Sequence, residues 1–277
     1  MEERKKGERA LISFDYALKR LLRNKANYEV LEGFLSELLM RDITVKAIGE
    51  SESNREHAKD KSNKVDILVE AESDEILLIE LQFTLEIDYL HRMLYGASRA
   101  ITERMVRGAE YMAVKKVYSI NIVYFDLGQS DDYVYHGRTH FTGLHVKDEL
   151  RLSQAQREVF GRERAGDIYP EYYILKINSF NGVAKDTLDE WIYFLKYNLI
   201  RDEFRAKGLD RACEVLDRDN LTPEERSMIA SSKLEGRIEG REEHEKLAKE
   251  LERERKEREK LAKENEILLA EMARLKT

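Results

Sequence analysis

Two acids and an amide stand where charge is costly. Val65-Asp66-Ile67-Leu68-Val69 is followed, after a polar turn through Ser73 and Asp74, by Ile76-Leu77-Leu78-Ile79-Glu80-Leu81-Gln82-Phe83. Short apolar runs bounded by turn residues read as buried strands, here joined as a hairpin. Side chains alternate along a strand, so Ile76, Leu78, Glu80 and Gln82 share one face and Leu77, Ile79 and Leu81 the other. Asp66 stands with Leu68, opposite Val65, Ile67 and Val69. A carboxylate inside such a strand is costly unless something pairs with it. Two on neighbouring strands repel, and a shared proton or a bound cation relieves the repulsion. Hard divalent cations prefer carboxylate oxygens, so the pattern points to a metal site at Asp66 and Glu80. The competing reading gives each acid a Lys or Arg at a sheet edge.

An Asp, and fourteen positions further on a Glu-x-Gln closing a hydrophobic strand, resembles the core of the PD-(D/E)XK nucleases. Within that superfamily the nearest likeness is the bacterial recombination-promoting nuclease and transposase-like family. It is carried by Phe14-Asp15-Tyr16-Ala17-Leu18-Lys19, Lys64-Val65-Asp66-Ile67-Leu68, Ile79-Glu80-Leu81-Gln82 and Arg92-Met93-Leu94-Tyr95, and spans roughly Phe14 to Leu199. The resemblance implies a metal-dependent DNA endonuclease of restriction-endonuclease-like α/β fold, a mixed sheet flanked by helices. It implies that Asp66 and Glu80 hold Mg²⁺ or Mn²⁺, with the carbonyl of Leu81 as a further ligand. Gln82 stands where the superfamily has its signature Lys; it can orient water or phosphate oxygen but brings no charge. The transposase-like relatives resemble this chain in that substitution, and Val65 replaces the signature Pro. An early helix often donates another acid in these enzymes, which makes Asp15, Glu29, Glu32 and Glu37 candidates. Lys64 and Arg92 are the basic residues placed to meet DNA phosphates.

Several elements must position these groups. Ser13 fits an N-cap for a helix carrying Phe14, Ala17, Leu18, Leu21 and Leu22, with Asp15 complementing its dipole. A second helix is expected near Tyr28 to Met40 and a strand over Thr44 to Gly49, then a polar connection from Ser51 to Lys61. Ile87 to Arg107 reads as a long helix with Leu90, Leu94, Ala97, Ile101 and Met105 on its apolar stripe and Gly108 as its cap. Val117 to Phe125 and Tyr172 to Ile177 read as strands, Tyr133 to His145 as one or two more, and Thr187 to Leu199 as a helix. His136, His140 and His145 lack a partner cysteine and standard zinc spacing.

Beyond Ile200 the character changes. Residues 1–200 form the expected nuclease-like domain, 201–240 a helical linker and 241–277 a coiled-coil tail. Asp202 to Leu216 reads as helical, and Thr222-Pro223-Glu224-Glu225 matches a capping box. Leu247, Glu254, Leu261, Leu268 and Leu275 repeat every seven residues, with Leu251, Arg258, Asn265 and Met272 at the other seam position. Leu at d with one Asn at a favours a parallel pair, so a homodimer through residues 247–275 is expected. The competing reading is a single charged helix.

The net charge is −7, and residues 236–277 are balanced at 12 basic and 12 acidic, so the excess lies in the first 235. Bulk charge therefore gives no support for a nucleic-acid partner. Local basic clusters remain: Arg20, Arg23 and Lys25; Lys59, Lys61 and Lys64; Arg99, Arg104 and Arg107; Lys115 and Lys116. No apolar run is long enough for a membrane span, the N-terminus lacks a signal-peptide core, and the one cysteine, Cys213, excludes an internal disulfide, so a cytoplasmic protein is expected. The alternative function is a catalytically inactive nuclease-like DNA-binding or dimeric interaction protein. A metal-independent hydrolase built on the His cluster lacks a nucleophile motif.

Overall fold

The apolar runs around the two acids form adjacent antiparallel strands, Val65–Ala71 and Ile76–Gln82. Their four-residue connection, Glu72 to Glu75, carries Asp74 at φ +63°, a left-handed position that Asp tolerates and that suits the twist of a hairpin. A computed structural model describes residues 8–10, 28–50, 65–83, 85–105 and 110–216, all within one compact unit running from Met1 to Arg226. In chain order the elements are β1 (Glu8–Ala10), α1 (Tyr28–Leu39), β2 (Val45–Glu50), β3 (Val65–Ala71), β4 (Ile76–Gln82), α2 (Tyr89–Thr102), β5 (Val117–Val123) and β6 (Val134–Gly137). Then come α3 (Gln154–Phe160), β7 (Glu171–Lys176), α4 (Thr187–Tyr197), β8 (Leu199–Arg201) and α5 (Leu209–Leu216). The Ser13 helix, the 51–61 connection, Gly108, the capping box at 222–225 and the heptads of 247–275 lie outside the described residues.

Six strands make one mixed sheet in the order β2-β3-β4-β5-β7-β6. The β2, β3 and β4 strands run antiparallel in sequence, β4, β5 and β7 are parallel, and β6 is antiparallel to β7. Helices flank the sheet, as expected for a restriction-endonuclease-like α/β fold. β4 and β5 are buried along their whole length, which explains why both read as near-continuous apolar runs. The parallel β4–β5 step requires a crossover, and α2 lies within it.

The stripe of α2 differs from expectation. Tyr89, Met93, Ala97 and Ala100 are its buried residues, whereas Leu90 and Leu94 are exposed. Small residues face the sheet because the helix lies close to it: a Cβ on Gly96 would come 3.2 Å from the Leu78 side chain. The helix also stops at Thr102, with Glu103 as its helical C-cap, short of the expected Arg107.

α1 and α4 meet through Phe34 and Trp191, edge to face at 5.6 Å. Residues 199–216, which include the start of the expected linker, join this same unit. β8 pairs with β1, and the turn before α5 approaches α1 so closely that a Cβ on Gly33 would lie 2.2 Å from the Lys207 carbonyl oxygen. Trp191 Nε1 donates to that carbonyl at 3.2 Å. Helix α3 was not expected, although Ser153 and Gln156 form a full capping box and Gly161 ends it left-handed. Among the described residues no helix is long and apolar enough to cross a membrane.

Candidate functional site

Register brings the two acids together. Asp66 and Glu80 are directly opposed in the β3–β4 ladder, and Glu80 is opposed in turn by Asn121 of β5. Opposed residues share a face, so Asp66, Glu80 and Asn121 form a row across three strands. Glu80 is 5% exposed and Gln82 3%, at the end of β4. For Asp66 and Val65 the backbone position alone is described, and Lys64 lies outside the described residues.

Helix α2 lies on this face, as the cluster of Leu68, Ile76, Ala97, Ala100 and Val117 shows. Its first turn delivers Arg92, whose Nε stands 2.5 Å from Glu80 Oε1 and whose Nη1 reaches both oxygens of Glu86 at 3.1 and 3.2 Å. Gln82 Nε2 donates to Glu86 Oε1 at 3.0 Å. Arg92 was expected to meet phosphate; it is turned onto two acids. A buried carboxylate needs such a partner, and a bidentate guanidinium suits the role. The pair is near the surface all the same: the side chains of Arg92 and Glu86 are 22% and 21% exposed.

Asn121 is fixed by its own donors. Its Nδ2 reaches Ser119 O at 3.1 Å, Ser119 Oγ at 3.0 Å and Tyr173 O at 3.1 Å, while Tyr89 donates its hydroxyl to Oδ1 at 3.4 Å. Sequence reasoning missed both Glu86 and Asn121. Glu86 sits in an irregular loop with no periodicity to mark it. Asn121 had a signal, being the one amide within the apolar run Val117 to Phe125.

The acids offered by α1 do not join the row. Glu32 Oε1 accepts from Val45 N at 2.7 Å, Glu37 takes Thr187 Oγ1 and Lys207 N, and Glu29 lies 3.9 Å from Arg211. Asp15 lies outside the described residues. Leu81 turns its side chain to the opposite face, fully buried, so its carbonyl is what it could contribute. Among the described residues no three His, Cys, Asp or Glu side chains gather to hold a metal ion.

The described members of the basic clusters meet acids: Arg99 with Glu103, Arg104 with Glu70, Lys115 with Asp74 and Lys116 with Glu171. Two of the histidines likewise face carboxylates, His136 toward Glu171 at 2.7 Å and His140 toward Glu149 at 3.3 Å.

A family model described as PD-(D/E)XK nuclease family transposase matches residues 12–155, just over half of the 277. The chain belongs to that family. The matched segment of this PD-(D/E)XK family member holds the whole row of Asp66, Glu80 and Asn121 together with Gln82, Glu86 and Arg92; β7 and α4 lie beyond it. Family membership points to nuclease-like chemistry. No curated protein and no solved structure matches the chain.

Proposed function

We propose that this protein is a metal-dependent DNA endonuclease that hydrolyses phosphodiester bonds, with Asp66 and Glu80 as carboxylate ligands of Mg²⁺ or Mn²⁺. The observation that carries this reading is the direct opposition of Asp66 and Glu80 on neighbouring buried strands. The donor set fits a hard cation, since it comprises two carboxylates and the Leu81 carbonyl. A positive charge, the Arg92 guanidinium, already lies against Glu80. A bound ion would supply a water of lowered pKa and offset charge building on the scissile phosphate.

The chain's own residues do the positioning. Gln82, tethered by Glu86, offers an amide to orient the attacking water or a phosphate oxygen and moves no proton at neutral pH. Arg92 yields Glu80 while Glu86 keeps hold of its Nη1, which leaves a guanidinium beside the cut site for a phosphate oxygen. Lys64, two residues before Asp66, adds a second phosphate contact. A dimer through residues 247–275 would set two such sites on one assembly, which would suit double-strand cleavage. Incubating the purified protein with plasmid DNA and Mg²⁺, beside the Glu80→Ala variant, tests this reading.

One observation favours a second reading, an inactive nuclease-like DNA-binding or interaction protein. The Glu80–Arg92 pair neutralises the buried acid without a metal, and Gln82 brings no base. DNA binding that persists in EDTA, with no cutting under any ion, would support it.

A further inference from the structure

A second polar centre lies on the opposite face of the sheet, around a pocket of about 960 Å³. Sites for small ligands fall in the range of about 300–1,000 Å³. Tyr118 of β5 and Tyr173 of β7 line it, and the His136 ring stacks on Tyr173 with centroids 4.3 Å apart and planes 13° from parallel. Three guanidinium groups from separate connections also line it: Arg41 after α1, Arg138 after β6 and Arg162 after α3. Their side chains are 37%, 38% and 33% exposed.

The acids that orient these arginines are buried. Glu75 is 5% exposed and receives Arg41 Nη2 at 2.5 Å, Arg162 Nη2 at 2.9 Å and Ser73 Oγ at 2.9 Å. Two guanidinium groups on one carboxylate leave one positive charge over. Glu171, 7% exposed, faces Lys116 Nζ at 2.9 Å, His136 Nε2 at 2.7 Å and Arg138 at 3.7 Å, and Asp167 lies 3.4 Å from Arg138. Positive charge is therefore surplus at the Glu75 end of the pocket, whereas Arg138 is matched by Asp167 and Glu171, and Glu163, also in the lining, is turned to Arg157 at 3.3 Å. Burial pushes both Glu75 and Glu171 up, but their cationic neighbours outweigh it and hold each below the ordinary carboxylate value. The acids therefore stay charged and keep the arginines in place at neutral pH.

The far wall is different. Glu37 and Asp186 line it, the first taken by Thr187 and Lys207, the second capping α4. A ligand suited to the whole pocket is anionic at one end, flat in the middle and rich in donors at the other. We propose that the pocket binds a nucleotide, its phosphate on Arg41 and Arg162 and its base on the exposed side of the His136 ring, which the buried Tyr173 ring backs. Arginine forks recognise phosphate and aromatic floors recognise bases. The nucleotide could come free or as one residue of a DNA strand. Because the pocket opens on the face opposite Glu80, this site stands or falls independently of the metal centre.

Calorimetric titration of the full chain with 5′-deoxynucleoside monophosphates, the matching nucleosides, inorganic phosphate and a short single-stranded oligonucleotide tests it. Monophosphates should bind, with nucleosides and inorganic phosphate each at least about tenfold weaker, the loss expected for one charge-assisted or stacking contact. Arg162→Gln and the charge-preserving Arg41→Lys should each weaken monophosphate binding about tenfold. Arg99→Gln, the same charge change on α2, should leave it unaltered. A tighter oligonucleotide would assign the site to a strand, a tighter monophosphate to a free nucleotide. No binding at millimolar monophosphate, equal binding of inorganic phosphate, or equal weakening by Arg99→Gln would overturn the proposal.

Discussion

Glu80 is held in two ways that compete. Its strand places it beside Asp66, which favours a cation between them; its helix neighbour Arg92 supplies a cation of its own. Removing one partner from a buried pair leaves an uncompensated charge, at a cost of about 3–5 kcal/mol. Arg92→Ala should therefore lower the thermal midpoint in EDTA, and millimolar Mg²⁺ should raise it by more in the variant than in the wild type. Equal shifts in differential scanning fluorimetry would show that the ion does not meet Glu80. The residues at this scale were unevenly legible. Asp66, Glu80 and Gln82 announce themselves because a charge or an amide inside an apolar strand demands a reason. Glu86 does not, since a loop acid is ordinary, and its link to Gln82 and Arg92 depends on how the chain returns toward α2.

Helix α2 shows why a hydrophobic stripe can be read one position out. Counting large apolar side chains selects Leu90 and Leu94, whereas the face against the sheet is built from Tyr89, Met93, Ala97 and Ala100. Close approach to β4 favours small residues there, as Gly96 beside Leu78 illustrates. Met93→Ala should cost about 2–5 kcal/mol, the usual range for truncating a buried Met. Leu94→Gln, on the exposed side, should fall within about 0.5 kcal/mol of wild type. Urea unfolding of both variants distinguishes the two phasings; the reverse order would restore the stripe on Leu90 and Leu94. Strands were easier to read than helix faces here. The hairpin, β5 and β7 are marked by Val, Ile, Leu and Tyr runs interrupted by few polar residues, while the β1–β8 pair is three residues long on each side and joins segments far apart in sequence.

The whole molecule carries a net charge of −7, yet the described basic clusters are spent on acids rather than gathered on one face. That pairing makes stability depend on pH. Glu75 and Glu171 have carboxyls held below their ordinary value of 4.5, so the folded state binds fewer protons than the unfolded one in that range. Their contribution is complete above about pH 4.5 and is lost as pH falls through the folded values. Thermal midpoints should drop steeply with acid below pH 4.5, and Glu75→Gln should flatten that slope; an unchanged slope would remove Glu75 from the account. At the other end of the chain, the heptads of 247–275 propose a paired helix. Deleting residues 241–277 should more than halve the mass in solution measured by light scattering, and a fall no larger than the 37 deleted residues account for would sink the coiled-coil dimer.

Cleavage bears most directly on the central proposal, that Asp66 and Glu80 hold the ion that cuts DNA. Purified wild type, Asp66→Ala and Glu80→Ala are each incubated with supercoiled and linear DNA in Mg²⁺, Mn²⁺ or EDTA. The expected result is metal-dependent cutting by the wild type alone, with both variants folded and at least about a hundredfold slower, as loss of a metal's contribution of several kcal/mol requires. Cutting that survives in both variants, or a folded wild type that cuts under no ion, would contradict it.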